Sequence, residues 1–258
     1  MKAFFVNRTR ATMRYHDLPG SEPAILFIHG LGCAGSFDYP QVAAQPALSG
    51  HRRLLIDLLG AGFSDKPESF SYSVEDHAAY LLDFVKAAGL TSFILFGHSL
   101  GGAVALSLAN RCPDRVAALI LSEANLDPSD KGSGSRLIAD QDRNEFLKRG
   151  FTRLLRDSRS SGNAMWAASL ALWSPLAAYL LSQSAARGGH PSWRHILYRL
   201  ECPKTFIFGE RSLPNPDAQG LAGHGIHIEM VNDAGHSMAW ENPAGLAGAI
   251  ARGIAAKI

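Results

Sequence analysis

Five short apolar runs recur along the chain, and each is continuous rather than alternating with polar residues. Runs of this kind are typical of parallel strands that are buried on both faces of a sheet. Helix-like segments separate most of them, and such alternation predicts an α/β fold with right-handed crossovers. The runs cover residues 24–29, 52–57, 92–97, 116–122 and 204–209.

Three segments are predicted to be helices, two between the apolar runs and one after the last run. The first has Ser73 as its N-cap and ends at Gly89, which is a frequent helix stop. The second, residues 100–112, is rich in small residues and could pack closely on a sheet. The third, residues 242–258, closes the chain. The first 20 residues instead predict a hairpin that runs antiparallel to the other strands.

The spacing of the apolar runs breaks once, where more than 80 residues separate the fourth run from the fifth. A connection of that length is uncommon within a compact domain. It holds three of the four tryptophans and several helix-like stretches, so we predict a helical cap over one end of the sheet. The predicted cap spans residues 124–200, and the predicted core spans residues 1–123 and 201–258.

Composition narrows the function classes. The 25 Lys and Arg residues nearly balance the 23 Asp and Glu residues, which argues against a dedicated nucleic-acid binder. No apolar stretch approaches the roughly 18 to 20 residues of a membrane span, and the N-terminal run is too short for a signal peptide. The three cysteines lie far apart, so we expect no disulfide scaffold. We therefore predict a cytoplasmic protein with no membrane span; its partner proteins are unknown.

Residues 30–35 satisfy the GxGxxG pattern of dinucleotide-binding proteins, and Asp57 ends the next strand about 20 residues later, as that fingerprint requires. In that fingerprint the glycines open a helix whose amides bind the pyrophosphate. Pro40 and Pro46 disfavour one long helix here. A nucleotide-binding oxidoreductase is therefore the weaker hypothesis.

Residues 97–101, Gly-His-Ser-Leu-Gly, form a GxSxG motif between a predicted strand and a predicted helix. A tight strand-to-helix turn exposes the Ser99 hydroxyl above the carboxyl edge of a sheet, and glycines are needed because larger side chains would clash. The following helix N-terminus offers backbone N–H groups to a developing oxyanion. The context predicts that Ser99 is a nucleophile.

A serine hydroxyl needs a base, and the base needs an orienting carboxylate. In folds with this motif the chain order is serine, acid, histidine. We favour His236 as the base because it follows the last predicted strand, in a loop at the catalytic edge. The histidines downstream of Ser99 are His190, His195, His224, His227 and His236.

Together these residues resemble the α/β-hydrolase superfamily, in particular its compact members with one cap. The similarity rests on His29-Gly30, on residues 57–67, on residues 97–102 and on Gly235-His236. It implies an eight-stranded, mostly parallel sheet with helices on both faces and a cap inserted after the sixth strand. It also implies an oxyanion hole formed by the backbone amides of Leu31 and Leu100.

The sequence departs from the family pattern at the acid. Most relatives carry an aspartate in a Gly-Glu-x-Asp motif, but residues 209–212 read Gly-Glu-Arg-Ser. Two carboxylates could replace it: Asp217, five residues beyond Ser212, and Glu123, which directly follows the fourth apolar run. Some family members place the acid at this earlier strand, so we favour Glu123 and keep Asp217 as the alternative.

We predict a serine hydrolase that forms an acyl-enzyme, with no metal or cofactor. The apolar content of the predicted cap indicates a small to medium, largely apolar ester. We predict that Trp166 and Trp173 of the cap contact the substrate, although most apolar cap residues fit a packing role. The alternatives are a carbon–carbon bond hydrolase, a cofactor-free haloperoxidase-like enzyme and a ligand receptor with little turnover. Serine at position 99 disfavours dehalogenases and epoxide hydrolases that use an aspartate nucleophile.

Overall fold

The computed structural model describes residues 1–256, and eight strands of that range form one sheet. The strands are β1 (Lys2–Val6), β2 (Ala11–Leu18), β3 (Ser21–Ile28), β4 (His51–Asp57), β5 (Phe93–His98), β6 (Val116–Ser122), β7 (Lys204–Gly209) and β8 (His227–Val231). Their order across the sheet is β1-β2-β4-β3-β5-β6-β7-β8. β2 pairs antiparallel with β1 and β4, and the other neighbours are parallel. The predicted mostly parallel sheet and the antiparallel N-terminal hairpin are confirmed.

Both faces of the sheet are buried, which explains why the apolar runs are continuous. Successive side chains of a strand point to opposite faces. In β3, Leu26 and Ile28 belong to one buried cluster, whereas Ile25 and Phe27 belong to another. Helices therefore cover the two faces, as predicted.

The helices of the core begin and end close to the predicted signals. The Ser73 hydroxyl accepts the amide N–H of Asp76 (3.1 Å) and caps the first long helix. The predicted C-terminal helix ends at Ala255, and residues 257–258 lie outside the described residues. The core helices are α1 (Gly35–Asp38), α2 (Pro40–Ala43), α3 (Val74–Ala87) and α4 (Leu100–Arg111) before the cap, and α11 (Pro216–Gly223), α12 (Met238–Glu241) and α13 (Pro243–Ala255) after it.

The segment between β6 and β7 is helical, where we predicted the cap. It holds α5 (Gly134–Ala139), α6 (Arg143–Glu145), a π-helical turn (Phe146–Gly150), α7 (Phe151–Ser160), α8 (Ala164–Leu170), α9 (Pro175–Arg187) and α10 (Trp193–Arg199). Across residues 1–256, no single helix is both long and apolar enough to cross a membrane. α8 and α9 pass that test only as a pair, with a bend of 107° between them.

Candidate active site

Ser99 lies at the sharp turn between β5 and α4. Its φ of 51° and ψ of −126° place a non-glycine residue in a sparsely populated backbone conformation. The turn is too tight for side chains on its glycines. A Cβ on Gly97 would lie 2.7 Å from the Gly102 Cα, and one on Gly101 would lie 2.3 Å from the His29 carbonyl oxygen. The turn holds the Ser99 hydroxyl at the carboxyl edge of the sheet.

A chain of hydrogen bonds joins Ser99 to a histidine and a carboxylate from two other strand ends. The Ser99 hydroxyl lies 3.1 Å from Nε2 of His236, in the loop after β8. Nδ1 of the same ring lies 2.7 Å from Oε2 of Glu123, which directly follows β6. The second carboxylate oxygen of Glu123 accepts the Gly209 amide N–H at 2.9 Å. Glu123 also has a positive φ, of 40°. Three separate strand ends thus meet in one constellation.

Glu123 is ionised in this setting. Burial raises the pKa of the carboxyl group, but hydrogen bonds from His236, Ser212 and the Gly209 amide outweigh that effect and bring the pKa to about 2. An ionised Glu123 can only accept, so Nδ1 of His236 donates to it. In the neutral imidazole, Nε2 is then the acceptor that faces the Ser99 hydroxyl. This is the tautomer that a general base requires.

His98, the variable residue of the GxSxG motif before Ser99, lies beside the His236 ring. The centroids of the His98 and His236 rings are 4.7 Å apart. Burial and the neighbouring His236 lower the pKa of His98 to about 3, so its ring is neutral near pH 7. Nδ1 of His98 donates to the Ser122 carbonyl at 3.1 Å. His98 therefore places no positive charge against the imidazolium that would form on His236.

Leu31 and Leu100, whose amides are predicted to form the oxyanion hole, lie in segments next to Ser99. Leu31 lies in the loop after β3, and Leu100 is the first residue of α4. Within residues 1–256, neither amide N–H has a hydrogen-bond acceptor in the protein. Both residues line the same cleft as Ser99. The two amides are thus available to an oxygen bound beside the serine.

The cleft above Ser99 has a volume of about 570 Å³, within the range of small-molecule sites. Apolar side chains from the loop and the cap share its wall with serine and asparagine side chains. Among the described residues, no lysine or arginine lines it. The lining comprises Leu31, Ser99, Leu100, Glu123, Asn125, Ser133, Gly134, Ser135, Leu154, Asn163, Trp166, His236 and Ser237.

Asp217, the alternative acid, lies elsewhere, in the first turn of α11. Its carboxylate accepts from Arg194 at 3.0 Å, and the same guanidinium binds Asp127 at 2.8 Å. Asp217 makes no hydrogen bond to His236, whose Nδ1 is bound to Glu123. The structure therefore places Asp217 in a salt-bridge network rather than beside the imidazole.

The two cap tryptophans differ in position. Trp166 lines the cleft. Trp173 is only 4% exposed; its ring packs edge-on against His29, and its indole N–H donates to the Cys33 carbonyl at 2.7 Å. Trp173 is not among the described residues that line the cleft, and its contacts join the cap to the core. Its contact with substrate stays a prediction.

Asp38 is a buried residue that the sequence analysis missed. Its carboxylate accepts the Ala34 amide (2.7 Å), the Ser169 hydroxyl of the cap (3.1 Å) and the Trp240 indole beyond the His236 loop (2.9 Å). Burial raises the pKa of Asp38. No local pattern could have identified it, because its partners lie up to 202 positions away. It ties together three segments that surround Ser99.

Comparison with known proteins decides the family. A family model described as the alpha/beta hydrolase fold matches residues 23–242, which is most of the chain. The chain belongs to the α/β-hydrolase family. The eight-stranded, mostly parallel sheet is thus the sheet of an α/β hydrolase.

Curated relatives of this α/β hydrolase match only part of it. A 2-hydroxy-6-oxo-2,4-heptadienoate hydrolase from Pseudomonas putida is 36% identical over 110 residues, 42% of this chain and 40% of that protein. Haloalkane dehalogenase 2 from Mycobacterium bovis is 32% identical over 123 residues, 47% of this chain and 42% of that protein. The matches thus span about two-fifths of the relatives' length. Together with the family, their names support a hydrolase.

Solved structures resemble the whole chain at low identity. An esterase from Thermogutta terrifontis has a TM-score of 0.78 at 20% identity and covers 96% of each chain. An N-acyl homoserine lactonase has a TM-score of 0.77 at 20% identity and covers 97% of this chain and 94% of its own. At these identities the likeness shows the fold alone.

Proposed function

We propose that this α/β hydrolase is a serine hydrolase that cleaves neutral carboxylic esters through an acyl-enzyme. One observation carries the proposal: the unbroken hydrogen-bond chain from the Ser99 hydroxyl through both nitrogens of His236 to Glu123. A nucleophile, a base and an orienting carboxylate in this geometry are the parts that acyl transfer requires.

The mechanism follows from these contacts. Ser99 Oγ attacks the acyl carbon while Nε2 of His236 takes the hydroxyl proton. Glu123 stabilises the resulting imidazolium, and the amides of Leu31 and Leu100 donate to the oxyanion, each contributing about 3 kcal/mol to the transition state. His236 then gives its proton to the leaving alkoxide. In the second half of the reaction, His236 activates a water molecule that attacks the acyl group on Ser99. The carboxylic acid is then released, and the Ser99 hydroxyl is restored.

The cleft lining favours an uncharged substrate. Among the described residues of that lining, Glu123 is the one acidic side chain, and its carboxylate would repel a substrate carboxylate. No cation among the described residues of the wall would pair with such a group. Leu154 and Trp166 offer apolar surface instead. We therefore infer a small to medium, largely apolar ester.

Carbon–carbon bond hydrolysis is the second candidate, favoured by the relative from Pseudomonas putida. A serine, a histidine and an acid could serve that reaction as well. The name of that relative's substrate denotes a carboxylate. The described wall of the present cleft holds no lysine or arginine to pair with that carboxylate, which supports the ester in preference.

Labelling and a matched pair of esters test the proposal. A fluorophosphonate probe should label the wild-type protein and fail to label Ser99→Ala. The wild type should hydrolyse 4-nitrophenyl butyrate with a kcat/KM at least about tenfold above that for 4-nitrophenyl hydrogen succinate, because the acid group has no counter-charge. Ester hydrolysis that persists in Ser99→Ala would contradict the mechanism. Preference for the succinate would contradict only the substrate class.

A further inference from the structure

Trp166 of the cap contacts the backbone of the oxyanion loop, defined here as residues 30–38. Its indole N–H donates to the Leu31 carbonyl at 2.9 Å. The loop approaches the ring directly at Gly32, which has a φ of 77°. A Cβ on Gly32 would lie 2.4 Å from the indole nitrogen, so this contact tolerates no side chain there.

Two further hydrogen bonds connect the same part of the cap to the same loop. The indole N–H of Trp173 donates to the Cys33 carbonyl at 2.7 Å. The Ser169 hydroxyl donates to Asp38 at 3.1 Å. Residues 164–173 of the cap thus hold the oxyanion loop along its length.

The contact at Leu31 has a direct consequence for the site. The carbonyl that Trp166 binds and the amide assigned to the oxyanion belong to the same residue. The carbonyl and the N–H lie in the two peptide planes that meet at the Leu31 Cα. Fixing the plane of the carbonyl restricts φ and ψ of Leu31, and these two angles set how the plane that carries the N–H is oriented relative to it. An oxyanion donor works only when it is aimed before the charge develops.

We propose that Trp166 is a positioning residue that aims the Leu31 amide at the oxyanion, so that the oxyanion hole depends on the cap. The proposal rests on the serine-hydrolase function inferred above. The oxyanion forms only in the transition state, so loss of the hydrogen bond lowers kcat and leaves KM nearly unchanged. A side chain that merely contacts substrate would change KM instead.

The test removes the indole N–H and keeps an aromatic ring. In Trp166→Phe we expect kcat for 4-nitrophenyl butyrate to fall about tenfold, less than the full loss of an oxyanion donor, with KM within about twofold. Affinity for an alkyl boronic acid, which forms a tetrahedral adduct with Ser99, should fall by the same factor.

Trp193→Phe is the matched control. Trp193 is also a cap tryptophan, 1% exposed, and its indole nitrogen has no partner among the described residues. We expect unchanged kcat, KM and boronate affinity in this variant. An equal loss in both variants, an unchanged kcat in Trp166→Phe, or a rise in KM alone would overturn the proposal.

A second variant at position 166 removes any ambiguity from altered packing. β-(3-Benzothienyl)alanine has sulfur where tryptophan has its N–H and is close to the same shape. It should lower kcat as Trp166→Phe does; full activity would refute the role of the hydrogen bond.

Ser99→Ala separates the two proposals. If it is inactive while both variants at 166 are normal, only the positioning role fails; if it is active, the proposed function fails.

Discussion

Replacing Glu123 with glutamine tests which carboxylate orients His236. Glu123 accepts two N–H groups, from Gly209 at 2.9 Å and from His236 at 2.7 Å. Glutamine has one acceptor oxygen. If that oxygen faces the Gly209 amide, the glutamine NH₂ group faces Nδ1 of His236 and forces this nitrogen to accept. The imidazole proton then lies on Nε2, against the Ser99 hydroxyl, where the base is needed.

The expected loss is large because the wrong tautomer removes the general base. In serine proteases, the corresponding change costs about 10⁴-fold in kcat. We therefore expect kcat of Glu123→Gln to be about 10³- to 10⁴-fold lower than that of the wild type. This factor corresponds to about 4 to 5.5 kcal/mol of transition-state stabilisation. The assay is steady-state hydrolysis of 4-nitrophenyl butyrate, with circular dichroism to verify folding.

Asp217→Asn is the control for this substitution. Asp217 pairs with Arg194, which keeps its bond to Asp127 in the variant. Exposed ion pairs contribute little, so we expect less than about a threefold change in kcat. The reasoning would be refuted if Glu123→Gln retained a kcat within about tenfold of the wild type. It would also be refuted if Asp217→Asn lost most of its kcat.

Three further predictions concern stability. Gly101→Ala places a Cβ 2.3 Å from the His29 carbonyl oxygen and 2.4 Å from that of Ile28. Denaturant unfolding should therefore show that the free energy of unfolding falls by at least about 2 kcal/mol. An unchanged midpoint of unfolding would contradict the close approach. Phe146→Ala removes a fully buried ring from the cap, so the free energy of unfolding should fall by about 3 to 5 kcal/mol in the same assay. A fall of less than about 1 kcal/mol would show that the interior of the cap is loosely packed. The pKa of Glu123 is lowered from 4.5 to about 2, so its ionised form stabilises the fold above pH 4.5, and this contribution disappears as the pH falls towards 2. The free energy of unfolding of the wild type minus that of Glu123→Gln should therefore shrink between pH 5 and pH 2, and a constant difference would contradict the assignment.

Local chemistry explains what the sequence predicted well. The glycines around Ser99 are required by contacts within a few residues and with the neighbouring strand. The tight turn can therefore be predicted from the motif alone. Glu123 directly follows a buried strand, and some family members place the acid at that strand, so both the pattern and the resemblance favour it. Parallel strands bring their carboxyl ends to one edge, which is where His236 also lies.

Contacts between distant segments explain what the sequence did not predict. Trp173 could be recognised as apolar, but nothing local shows that its N–H reaches the Cys33 carbonyl 140 positions earlier. Asp38 looks like an ordinary loop aspartate, and only the folded chain brings Ser169 and Trp240 to it. Both positions depend on how the cap lies on the core, which side-chain patterns alone do not fix.

Trapping the acyl-enzyme tests the central claim most directly. The wild type would be mixed with 4-nitrophenyl butyrate, quenched in acid during turnover and digested for mass spectrometry. We predict a butyryl group on Ser99 that is absent from Ser99→Ala and disappears once the substrate is consumed. Turnover with no acyl group on Ser99, or with the group on another residue, would contradict the account.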